Sequence, residues 1–220
     1  MTRIYQKGLA EALRLAPVVP VMVIENVADA VPLARALVKG GLPVLEITLR
    51  TPKAMDCIRA IIAEVDGAIV GSGTVLTPEQ LRDSEKLGCK FAVSPGATGR
   101  LLGAGEDYDI ALLPGGVTAS ECMALLEWGY TIQKFFPAEP AGGAAYLSSL
   151  ASPLPQIRFC PTGGINLEKA PAYLKLSNVI TIGGSWMAPK TLVDAKDWAG
   201  IERLAAEAAA LRQITSAKSP

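Results

Sequence analysis

Histidine is absent from the whole chain of 220 residues. That excludes Ser-His-Asp and Cys-His catalysis, histidine general bases, and most zinc sites, whose ligand sets draw on imidazole. Any chemistry must fall to Lys, Glu, Asp, Cys, Ser, Thr, Tyr or Arg. Net charge is missing too. The 21 basic and 21 acidic side chains cancel, and no block of like charge occurs, so nucleic acid and an anionic membrane are poor partners. A small anion needs only a local site. No apolar run approaches the roughly 18–20 residues of a membrane span. Cys57, Cys89, Cys122 and Cys160 form no CxxC pair. They are expected to be buried, reduced thiols of a cytoplasmic protein. Residues 1–16 read as a short amphipathic helix and not as a secretory signal: apolar Ile4, Leu9, Leu13 and Leu15 alternate with Arg3, Lys7, Glu11 and Arg14.

Half of the residues are hydrophobic and a fifth are charged, which is ample for a large core. Short apolar runs predict strands at 18–24, 44–49, 69–74, 91–95, 111–115, 131–137, 158–163 and 179–183. Their starts lie roughly 20–27 residues apart, the pitch of a βα unit. Helical patterns fill the gaps. One spans 28–39 and stops at Gly40-Gly41; Thr77-Pro78-Glu79 opens another with a cap, a first-turn proline and an acid; Thr118-Ala-Ser-Glu121 matches a capping box. Gly88 and Gly129 read as helix stops. A last helix is expected over 196–213, before a frayed polar tail at 215–220. The strands are apolar almost throughout, as parallel strands covered on both faces are. Two architectures accommodate this: a closed barrel and a doubly wound open sheet. Uniform unit size and the lack of G-x-G-x-x-G after the first strand favour the barrel. The expectation is α/β, a (β/α)8 TIM barrel with an N-terminal helix, forming a single domain over 1–220.

Barrel chemistry sits at the C-terminal strand ends. In Val44-Leu-Glu-Ile-Thr-Leu-Arg50, Glu46, Thr48 and Arg50 share one parity and point to one side. An acid in a buried strand is costly unless paired or functional. It forms either an ion pair with Arg50 that closes the barrel end, or a base beside an anion clamp, for which the arginine fork is suited. In Thr131-Ile-Gln-Lys-Phe-Phe-Pro137, Lys134 stands among apolar residues. It is either a lysine that snorkels to solvent or an amine freed as a nucleophile by desolvation or a nearby cation. Glu46 and Arg50 tip the balance toward chemistry. Gly71-Ser-Gly-Thr74 and Ser94-Pro-Gly96 end the third and fourth strands. They are either ordinary turns or an open mouth in which Thr74 meets a substrate oxygen. Pro161-Thr-Gly-Gly164 and Gly183-Gly-Ser185 end the seventh and eighth strands, where many barrels bind phosphate through backbone N–H groups.

Six stretches carry a resemblance: Val18-Val-Pro-Val21, Leu45-Glu-Ile-Thr-Leu-Arg-Thr51, Val70-Gly-Ser-Gly-Thr-Val75, Lys134-Phe-Phe-Pro-Ala-Glu139, Arg158-Phe-Cys-Pro-Thr-Gly-Gly164 and Ile182-Gly-Gly-Ser-Trp186. In this order the chain resembles the 2-keto-3-deoxy-6-phosphogluconate (KDPG) / 2-keto-4-hydroxyglutarate (KHG) aldolase family. The resemblance implies a Schiff-base lysine at Lys134 and a general base at Glu46. It implies a carboxylate-binding Arg50, a pyruvate-contacting Thr74, pocket walls at Pro95 and Phe136, and a stereochemical position at Thr162. Phosphate would lie on Gly163, Gly164, Gly184 and Ser185. Pyruvate and a phosphorylated 2-keto acid are the implied small-molecule partners, no metal or cofactor is expected, and a homotrimer is implied. Gly99-Arg100 and 140–146 differ from the family pattern, which bears on the preferred aldehyde. Two rivals are another phosphosugar-binding barrel enzyme and a non-catalytic oligomeric scaffold.

Overall fold

The computed structural model describes residues 6–216. Eight strands follow the expected order: β1 (Val18–Met22), β2 (Val44–Thr48), β3 (Ile69–Gly73), β4 (Phe91–Val93), β5 (Ala111–Leu113), β6 (Ile132–Phe135), β7 (Arg158–Pro161) and β8 (Ile182–Gly184). Six pair in the order β5-β4-β3-β2-β1-β8, and β6 pairs with β7. Every pairing is parallel. Parallel bridges at Gly115↔Lys134 on one side, and at Phe159↔Val179 and Thr162↔Gly183 on the other, join the two sheets. The result is a closed (β/α)8 barrel, not an open sheet.

Alternation along each strand sorts the apolar residues into two shells. Val19, Val44, Phe91, Val93, Ala111, Leu113, Ile132 and Cys160 face inward and form one cluster. Leu9 and Leu13 of the short helix Leu9–Leu13 join it and close the N-terminal end of the barrel. Val18, Leu45, Ile47, Ala92, Leu112, Phe135, Phe159 and Ile182 face outward into a larger cluster under the helices. Inward packing fills the lower barrel with carbon and leaves the upper layer to polar groups, so the site is confined to the C-terminal end.

Local chemistry sets the helix starts. Thr77 caps Pro78–Leu87 by accepting from Gln80 N–H. Thr118 and Glu121 make the full capping box. Thr98 caps Gly99–Asp107, a start not foreseen from sequence. Several expected boundaries shift. The last strand begins at Ile182 instead of 179; Val179 makes an isolated parallel bridge to Phe159, while its own N–H turns back to the Leu176 carbonyl. The last long helix is Trp198–Ala209, opened by an Asp197 cap, with a separate turn at Arg212–Ser216. Of the expected 1–16 helix and 215–220 tail, residues 1–5 and 217–220 lie outside the described residues.

Candidate active site

Glu46 and Lys134 enter the barrel from opposite walls, on β2 and β6. They are 3 % and 4 % exposed. Lys134 Nζ donates to Glu46 Oε1 at 3.2 Å. Room for the carboxylate comes from Gly73 on the neighbouring β3. A Cβ there would fall on the Glu46 carboxylate, inside van der Waals contact. The two ions therefore meet in a slot left by a missing side chain. Phe136 places its ring centroid 5.3 Å from Nζ, a cation–π distance. Cys160 stands inward beside the pair. Burial pushes its thiol up to about 12, with Lys134 pulling down and Glu46 adding to the rise. It is a neutral part of the floor and not a second nucleophile.

Of the two alternatives for Glu46, the ion pair with Arg50 does not form. Arg50 lies at the rim and its Nε donates to Thr74 Oγ1 at 3.0 Å. Thr74 holds a φ of 57°, left-handed backbone that a β-branched residue rarely adopts. Its hydroxyl stands beside the guanidinium at the cost of that strain. Thr48, on the same face as Glu46, is spent structurally: its hydroxyl donates to the Met22 carbonyl.

A cavity of about 180 Å³ opens above Lys134. Of the residues singled out in the sequence, Arg50, Lys134, Phe136, Thr162, Gly163, Gly164, Gly184 and Ser185 line it. Glu46 lies behind Lys134 and Thr74 behind Arg50. Pro95 is not in the lining; its carbonyl backs onto Gly115 on the β4–β5 side. Thr162 Oγ1 is buried and without a partner, and it points at Gly183, where a Cβ would collide with it. A lone buried hydroxyl aimed into a cavity is available to a ligand. Val21, Val23, Ile165 and Gly183 complete the wall. Sequence parity along the first and eighth strands contains that signal, since Val21 and Val23 continue the inward row from Val19.

The two glycine loops meet at the far end of this cavity. Gly163 and Gly164 have φ values of 108° and 77°, conformations that glycine alone adopts without penalty. The Thr162 carbonyl accepts from Ala138 N–H at 2.8 Å and the Gly163 carbonyl from Glu139 N–H at 3.1 Å. In a trans peptide C=O and N–H point opposite ways, so these bonds aim the Gly163 and Gly164 amides away from the β6 loop. Neither amide donates to a backbone acceptor among the described residues. Two free N–H groups on successive positive-φ residues suit an anion.

A larger cavity of about 300 Å³ adjoins the one above Lys134, sharing Val21, Val23 and Ser185 and lined also by Glu25, Asn26, Lys190 and Asp194 among others. Its lysine is a poor nucleophile. Hydrogen bonds from Lys190 to Asp194 raise its pKa, and Glu25 adds to this, so it stays an ammonium. Among the described residues no group of three or more Cys, Asp or Glu is arranged to hold a metal ion.

With this geometry in hand, comparison with known proteins is specific. A family model described as KDPG and KHG aldolase matches residues 9–204. The chain is 50 % identical over 196 residues to the KHG/KDPG aldolase of Escherichia coli K12, covering 89 % of this chain and 92 % of that one. It superposes on the 2-keto-3-deoxy-6-phosphogluconate aldolase of Zymomonas mobilis ZM4 with 3-phosphoglycerate at a TM-score of 0.88, with 48 % identity, over 93 % and 96 % of the two chains. It matches the Legionella pneumophila KDPG aldolase, solved with pyruvate captured as a covalent carbinolamine, at a TM-score of 0.89, with 43 % identity, over 91 % and 97 %.

Proposed function

The chain belongs to the KDPG and KHG aldolase family, and from that premise we propose that it is a class I, Schiff-base aldolase. It cleaves 2-keto-3-deoxy-6-phosphogluconate to pyruvate and glyceraldehyde 3-phosphate, and 4-hydroxy-2-oxoglutarate to pyruvate and glyoxylate. The observation that carries this reading is the buried Lys134–Glu46 contact of 3.2 Å beneath a cavity that ends in two glycine loops.

The chemistry follows from the residues. Lys134, having passed its extra proton to Glu46, attacks the C2 ketone. Glu46 returns that proton to the carbinolamine hydroxyl, which leaves as water, giving an iminium and restoring the Glu46 carboxylate. Glu46, as a carboxylate, takes the proton of the C4 hydroxyl, the C3–C4 bond breaks, and its electrons flow to the iminium nitrogen. The aldehyde leaves and an enamine remains. Protonation at C3 and hydrolysis release pyruvate and restore the amine. The electron sink is the iminium itself. Arg50, steadied by Thr74, holds the carboxylate, Phe136 walls the pyruvoyl half, and Thr162 reads the hydroxyl-bearing carbon. Gly163, Gly164, Gly184 and Ser185 receive the phosphate. Pro95 is left with no direct contact in this scheme.

The test is to incubate the protein with pyruvate and borohydride and weigh it. A stable adduct on the peptide holding Lys134 is expected. Full activity after that treatment would favour a phosphosugar enzyme in which Lys134 is only a charge. E46Q should trap pyruvate slowly and lose roughly 10²–10⁴-fold in cleavage. We further propose a homotrimer of one-domain protomers spanning 1–220, in the cytoplasm. Exposed Leu76 after β3 and four free, buried cysteines support these readings. Light scattering separates a trimer from the larger assembly of a scaffold protein.

A further inference from the structure

Glu139 has no part in the chemistry above, yet its carboxylate is held by two side chains close to the cavity. It sits on the loop after β6. One oxygen accepts from Lys169 Nζ at 2.6 Å, and the other accepts from the Tyr173 hydroxyl. Lys169 is itself oriented, since its N–H donates to Asn166 Oδ1 at 3.0 Å. Tyr173 is buried, 1 % exposed. These hydrogen bonds, Lys169 first, hold the Glu139 carboxyl below its ordinary pKa, and it stays charged at neutral pH.

Its aliphatic stem lies under the glycine loop. A Cβ on Gly164 would stand 2.9 Å from both Cβ and Cγ of Glu139. Its backbone N–H holds the Gly163 carbonyl. Glu139 thus touches the loop two ways, through its N–H and through its stem, while its carboxylate is held by Lys169 and Tyr173, which follow the loop in sequence. A loop with two successive left-handed glycines has many other conformations open to it. Something must select the one that turns both amides into the cavity.

We propose that Glu139, clamped by Lys169 and Tyr173, is the positioning residue that fixes the Gly163–Gly164 loop for a distal phosphate and so sets the preference for phosphorylated over unphosphorylated 2-keto acids. This assignment rests on the functional reading above. Glu139 itself makes no contact with substrate; it acts through the two amides.

The experiment compares 2-keto-3-deoxy-6-phosphogluconate with 4-hydroxy-2-oxoglutarate, which shares the pyruvoyl half but carries no phosphate. In E139Q the Lys169 ammonium meets an amide instead of a carboxylate. KM for the phosphorylated substrate should rise roughly tenfold, the scale of one lost charge-assisted bond, while kcat changes less than about twofold. Cleavage of 4-hydroxy-2-oxoglutarate and borohydride trapping of pyruvate should stay within about twofold of wild type. Inorganic phosphate should inhibit 4-hydroxy-2-oxoglutarate cleavage roughly tenfold more weakly. Y173F, which removes one hydroxyl, should shift KM in the same direction by less. If both substrates suffer equally in E139Q and Y173F, Glu139 is merely structural and the proposal is overturned. If wild type prefers the phosphorylated substrate and both variants keep that preference, the proposal also falls while the functional reading stands. A wild-type enzyme with no such preference overturns the phosphate-site reading and this assignment with it.

Discussion

Lys134 Nζ and Glu46 Oε1 lie 3.2 Å apart although their strands, β6 and β2, occupy opposite walls of the barrel. Two ions this deeply buried are held by each other. Removing one leaves the other uncompensated, which costs about 3–5 kcal/mol for a buried pair. K134M should therefore be both inactive and markedly less stable to denaturant. K134M/E46Q should be just as inactive, yet recover much of the stability, because no buried charge remains alone. Additive losses in the double mutant would mean that the two groups are not coupled in the folded protein.

Strand β6 also depends on a residue far from it in sequence. The Gln6 amide donates to the carbonyls of Leu112 and Ile132 at 3.0 and 2.6 Å, and its oxygen accepts from Ile132 N–H at 2.9 Å. Among the described residues, Gly115↔Lys134 at the top is the backbone bridge between β5 and β6; Gln6 stitches the seam at the bottom. Q6L leaves buried backbone groups unpaired and should cost about 1–3 kcal/mol. Faster hydrogen exchange at the Ile132 amide is the specific readout. Unchanged exchange there would show that the seam closes without Gln6.

Legibility from sequence tracked the range of the interaction. All eight strands were readable because apolar runs and turn residues are local. Lys134 and Glu46 stood out because a charge inside an apolar run is anomalous wherever its partner lies. Partnership itself was not readable. Arg50 shares parity with Glu46, so the sequence allowed them to pair, but Arg50 lies four residues on, two past the end of β2, at the rim and beside Thr74. Gln6 and Glu139 were missed for a related reason. Each looks like an ordinary polar residue until folding brings it to an element more than 20 residues away. Thr74 was singled out, but its positive φ needs coordinates to be seen.

The cysteines give a pH dependence with a definite sign. Burial raises Cys89, Cys122 and Cys160 from an ordinary 9.0 to about 12. Unfolding would expose thiols that ionise near 9, whereas the folded protein keeps them neutral to about 12. Below 9 the stabilisation from the neutral thiols is fully present. It is lost as pH rises from 9 toward 12, because the unfolded state then releases protons first. The thermal midpoint should fall through that window. At pH 8, iodoacetamide should leave these thiols unmodified in the native protein and label them after denaturation. Rapid native labelling would contradict their burial.

Gly73 offers a test of how finely the catalytic pair is placed. Its φ is not positive, so alanine there is allowed by the backbone. The obstacle is spatial: the new methyl would overlap the Glu46 carboxylate and crowd its Cγ at 2.6 Å. The methyl cannot withdraw, since strand pairing with Thr48 fixes residue 73, so the carboxylate must swing away from Lys134. A displacement of about 1 Å is enough to cost on the order of 10²-fold in rate. G73A should therefore keep the barrel's circular dichroism and lose cleavage of both substrates in parallel, unlike the phosphate-selective loss expected of E139Q. Restoring space with G73A/E46D should recover part of the rate if the fault is the crowded carboxylate. A G73A enzyme of wild-type activity would show that Glu46 works from a position other than this slot.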